Sequence, residues 1–75
     1  MEKHIFFLWN NIGLVGICEN NLDRVREMIE SAWDNTPNMT YTHKDVIELI
    51  DKREYNNWYL EEHPINALYQ NGTNL

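Results

Sequence analysis

Hydrophobic residues fall into two regimes along this chain. The first eighteen residues carry two short, almost continuous apolar runs, HIFFLW at residues 4–9 and IGLVGIC at 12–18, separated by Asn10-Asn11. Runs of this length rich in β-branched and aromatic residues read as strands. Asparagine tolerates the left-handed backbone that a tight turn requires, so the pair predicts a β-hairpin turning at Asn10-Asn11. Both strands are apolar throughout, so alternation does not reveal which face is buried. Gly13 and Gly16 leave room for a close neighbour on the second strand.

After Cys18 the period changes. Leu22, Val25, Ile29, Ala32 and Trp33 recur at helical spacing, with Met28 beside them. Asn20 or Asn21 is a natural N-cap, and Pro37 disfavours helical geometry at Thr36, which predicts a helix over 21–34. Thr42-His43-Lys44-Asp45 is close to a capping box, and Val46, Leu49 and Ile50 follow, predicting a second helix over 43–53. Residues 56–62, NNWYLEE, read as a third strand with Trp58 and Leu60 on one face and Tyr59 and Glu61 on the other, ended by Pro64. The expected fold is α+β, in the order β-β-α-α-β. A three-stranded antiparallel sheet carries both helices on one face. Residues 1–69 are expected to form one domain, with a last turn near Ile65–Tyr69 and a disordered tail over 70–75.

Seventy-five residues bury a modest core, but nine aromatics, Trp9, Trp33 and Trp58 among them, supply much area per residue. A homodimer sharing apolar surface would relieve the same constraint. A single cysteine, Cys18, excludes an intrachain disulfide and any zinc site built on paired cysteines, and its apolar surroundings suit a buried small hydrophobe. The stretch IFFLWNNIGLVGIC is shorter than the roughly 20 residues that span a bilayer and lacks a small-residue cleavage site, so a cytoplasmic location without membrane contact is expected.

The net charge of −6 opposes nucleic-acid binding, which rests on neutralising phosphates. His4, His43 and His63 are far apart and show no metal-ligand spacing. Ser31, the sole serine, lies in a helix, and the glycines make no phosphate loop. Glu61-Glu62-His63 is the densest polar cluster, yet it reads as a solvated strand end rather than an acid/base pair. Neither catalysis, metal nor cofactor is expected. Two surfaces stand out as candidates for binding a protein. Asp23, Glu27, Glu30 and Asp34 follow one helical face over roughly 16 Å, an acidic strip suited to a basic surface, partly neutralised by Arg26 with Glu30 and Arg24 with Glu27. Phe7, Trp9, Trp58 and Tyr59 belong to strands expected to be adjacent, forming an aromatic face of the kind that dominates interfaces.

In shortness, acidity, lack of catalytic motifs and a bias to 11 asparagines and 7 isoleucines, the chain resembles the small acidic proteins with which bacteriophages block host machinery or defence systems. The resemblance is one of overall character and pins no residue. It implies a protein that binds one host protein inside the host cell and occludes its nucleic-acid site, partner site or assembly. The alternative is a structural homo-oligomeric or adaptor protein that uses its sheet face.

Overall fold

A computed structural model describes residues 4–64. Strand β1 (His4–Trp9) runs antiparallel to β2 (Leu14–Glu19), and helices α1 (Leu22–Asp34) and α2 (His43–Lys52) follow. A two-residue strand, β3 (Glu54–Tyr55), then turns into β4 (Trp58–Pro64). The sheet is therefore four-stranded, in the order β2-β1-β4-β3, and antiparallel throughout. The α+β class and the placing of two helices over one sheet face agree with the sequence pattern, while the expected three strands become four.

Of the three Asn-Asn pairs, at 10–11, 20–21 and 56–57, the last makes the tight two-residue turn expected of the first. Asn10 is not left-handed; instead its carboxamide accepts from the backbone N–H groups of Ile12 and Gly13 at 2.8 and 3.0 Å, closing a four-residue loop before β2 begins at Leu14. Tyr55 pairs with Trp58 directly, so Asn56-Asn57 forms the two-residue turn, with Asn56 at φ 53°. The third expected strand is thus shifted, its first two residues being the turn itself. Pro64 is the last residue of β4, opposite His4, rather than the residue beyond it. The expected turn at Ile65–Tyr69 and the tail at 70–75 lie outside the described residues.

Both helices start and stop for local reasons that the sequence carries. The Asn21 side chain accepts from Asp23 and Arg24 N–H at the head of α1. At its end the Asn35 carboxamide and Thr36 hydroxyl donate to the carbonyls of Ser31 and Ala32. Thr42 and Asp45 form the reciprocal capping box of α2, satisfying backbone donors that the helix cannot. The C-cap Arg53 sits at φ 68°, a conformation usually given to glycine. Its guanidinium offsets that cost by reaching Glu62 on β4 at 2.8 Å and lying 5.0 Å from the Phe6 ring centre.

One core lies between sheet and helices. Phe6 and Leu8 of β1 and Trp58 and Leu60 of β4 meet Val25, Ile29 and Trp33 of α1 and Val46 and Leu49 of α2. Trp33 is its hub, with ring contacts to Tyr41, Tyr55 and Trp58 at 5.1, 5.4 and 6.0 Å. Each strand contributes alternate residues, which leaves the other half of every strand on the opposite face.

Candidate functional site

The face of the sheet away from the helices gathers several partly exposed apolar side chains. The register sets Phe7 opposite Ile17 on one side and Glu61 on the other, and Trp9 opposite Leu14 and Tyr59. Leu14, Ile17 and Tyr59 remain 47%, 56% and 43% exposed, with Ile5, Phe7 and Trp9 half-buried between them. A contiguous patch of this kind marks a contact surface more than scattered apolar residues do.

Polar groups fix its aromatic part. The Trp9 indole N–H donates to Glu61 Oε1 at 2.6 Å, and His63 stands 3.8 Å from the same oxygen while its ring tilts against Phe7 at 5.3 Å. Trp9 and Tyr59 thereby border a shallow groove with Glu61 in its wall. Asn10 and Arg53 line the same groove, so it presents two aromatic rings with one carboxylate and one guanidinium, a lining suited to an amphipathic side chain of a partner.

Of the four aromatics expected on this face, Phe7, Trp9 and Tyr59 are there. Trp58 is not: it is 7% exposed and turned to the helices, because neighbours in a strand point to opposite faces and Trp58 is in phase with Leu60. Leu14 and Ile17 belong to the patch but were not singled out from the sequence. Their signal needed the register of a hairpin whose strands are both apolar. Glu61 and Glu62 split by the same alternation. Glu62 faces the helix side, 2.8 Å from Arg53 and 2.7 Å from His4 Nδ1. His4 and His63 therefore diverge to opposite faces.

The acidic strip on α1 is real as a row but thinner in free charge. Asp23 pairs with Arg26 at 3.2 Å and Arg24 lies 3.7 Å from Glu19, in place of the expected Arg26–Glu30 and Arg24–Glu27 pairs. Asp34 accepts from the Tyr41 hydroxyl at 2.6 Å, a bond that pushes the phenol pKa up to about 12. Glu27 and Glu30 keep carboxylates without an ion pair among the described residues.

Cys18 packs against the core edge, and burial followed by the charge of Glu19 raises its thiol pKa, so it stays protonated at neutral pH. Among the described residues no group of three or more His, Cys, Asp or Glu side chains could hold a metal ion, and no helix is long and apolar enough to cross a membrane. No protein family, curated protein or solved structure matches the chain.

Proposed function

We propose that this chain is a protein-binding module without catalytic activity, which docks on one host protein through its open sheet face and blocks that protein's activity or assembly, in the manner of a phage-encoded inhibitor acting in the host cytoplasm. The observation that carries the reading is the patch of Phe7, Trp9, Leu14, Ile17 and Tyr59, which no described element covers on the face opposite both helices. Trp and Tyr are among the side chains from which interfaces draw most of their energy, and Trp9 is held by its bond to Glu61. Glu27 and Glu30, without an ion pair among the described residues, favour a basic target by speeding encounter rather than by strengthening the bound state. The phage origin rests on overall character alone.

The test compares the parent chain with Trp9→Ala/Tyr59→Ala as affinity baits in host lysate, followed by titration of the purified captured protein's own activity. The proposal expects one protein held by the parent and lost from the variant, with its activity falling as parent is added. Equal retention by a folded variant, or an unaffected activity, refutes it. Glu27→Lys/Glu30→Lys should slow association and flatten its salt dependence while leaving dissociation little changed.

A further inference from the structure

The edge of the sheet at β2 differs from the open face and carries an inference of its own. Asn20 N–H donates to the His4 carbonyl at 3.0 Å, and the register Ile5↔Glu19, Phe6↔Cys18, Phe7↔Ile17 continues to place those two residues opposite each other. In an antiparallel ladder, hydrogen-bonded opposite pairs recur every second residue. Cys18 and Gly16 therefore turn their backbone groups towards β1. Ile17 and Glu19 turn theirs outwards, where β2 ends the sheet and no described element pairs with it. Native edges of this kind are usually blunted by charge, proline or a covering segment. Leu14–Cys18 has neither charge nor proline, and its irregularity, at the step between Leu8 and Trp9, affects only its first residues.

We propose that β2 pairs antiparallel with β2 of a second copy of this chain, joining two four-stranded sheets into one of eight strands. A two-fold axis at Ile17 makes the edge self-complementary. The two Ile17 residues exchange backbone hydrogen bonds, and their exposed side chains meet on the open face beside the Phe7 of each copy. Gly16 then faces the second copy's Cys18, small against small. Glu19, the sole charged side chain of β2, lies at the outer end of this pairing, away from the second copy's Glu19.

The helix above this edge permits the approach. Arg24 lies near Glu19, Met28 rests on Gly16, and Val15, Met28, Ser31 and Ala32 line one groove. That flank of α1 is basic or neutral. Asp23, Glu27, Glu30 and Asp34 are turned to another side by the helical period, so two copies of net charge −6 meet beside Arg24, Met28 and Ser31 rather than beside that row.

Light scattering coupled to size exclusion tests the pairing. The parent should give about 18 kDa, twice its 9.0 kDa. Ile17→Lys, which sets two ammonium groups across the axis while leaving an exposed position of the monomer, should give 9.0 kDa with unchanged circular dichroism. Tyr59→Lys, on the same face but two strands away, should remain a dimer. Amide exchange at Ile17 and Glu19 of the unaltered parent should slow as concentration rises, which decides the matter even if Ile17→Lys misfolds. A parent that stays at 9.0 kDa at every concentration overturns the proposal. So does a dimer that survives in folded Ile17→Lys or one that Tyr59→Lys dissociates. None of these outcomes depends on whether the open face binds a host protein.

Discussion

Trp58 and Tyr59 are adjacent aromatics with opposite surroundings, and replacing each by alanine separates folding from docking. Trp58 is buried and meets Trp33 edge-on at 6.0 Å. Removing such a side chain costs about 3–5 kcal/mol, including the cavity left behind. A domain of this size has a total stability of roughly 4–11 kcal/mol. With a urea dependence of about 1 kcal/mol per molar for so small a chain, the midpoint of Trp58→Ala should fall by several molar. A parent at the lower end of that range would leave the variant unfolded in buffer. Tyr59 is 43% exposed on the open face, and its loss should cost about 1 kcal/mol, the span of strand preferences. Urea titration followed by far-ultraviolet circular dichroism measures both. Binding to a captured partner is then compared only for variants that fold. Equal losses of stability in the two variants would refute the assignment of faces. A stable Trp58→Ala that had lost binding would place Trp58 at the interface after all.

Two further outcomes follow from local geometry. Asn10→Ala removes two hydrogen bonds that close the β1–β2 loop and should cost about 1–2 kcal/mol in thermal or urea unfolding, whereas Asn11→Ala should cost less than about 0.5 kcal/mol. Tyr41, held neutral by its bond to Asp34, should titrate near pH 12 by tyrosinate absorbance, and Asp34→Asn should return that step towards the ordinary value of about 10. The folded pKa lies above the unfolded one, so this contribution to stability is complete below about pH 10 and is lost as pH rises from there through 12.

The helices were legible because their signals are local and redundant. Apolar spacing, Asn21, the Thr42–Asp45 box and Pro37 all point to the same limits, and the observed helices differ from the expected ones by a residue at an end. The sheet was legible only in outline. A two-residue strand such as β3 has no pattern of its own; it exists because the Asn56-Asn57 turn lays Glu54–Tyr55 beside β4. The Asn-Asn signal occurs three times in the sequence, which does not say which copy makes the tight turn. Alternation in β4 sets Trp58 and Tyr59 on opposite faces, yet the aromatic face expected from the sequence took in both, and only Tyr59 belongs to it. In β1 and β2 it was hidden, because Phe6 and Phe7, or Ile17 and Cys18, look alike until a partner strand fixes their phase. The ion pairs of α1 were misread for a related reason: several partners lie within reach on a helix, and the tertiary position of Glu19 settles Arg24.

The strand order has a consequence for how the chain reaches this state. β1, which precedes the other strands in chain order, is central in the sheet and completes its pairing only with β4, as in the bond that joins Trp9 to Glu61 across 52 residues. Closing so long a segment is entropically costly and slow, so the sheet is expected to be finished late. Until then the N-terminal hairpin stands with HIFFLW unpaired along one side, the segment of this molecule most exposed to off-pathway association. The helices, which form quickly and can shelter only one face of that hairpin, offer it partial cover during the wait. Residues that face the core rather than the binding surface, such as Leu60, thus help decide how much soluble chain a cell obtains.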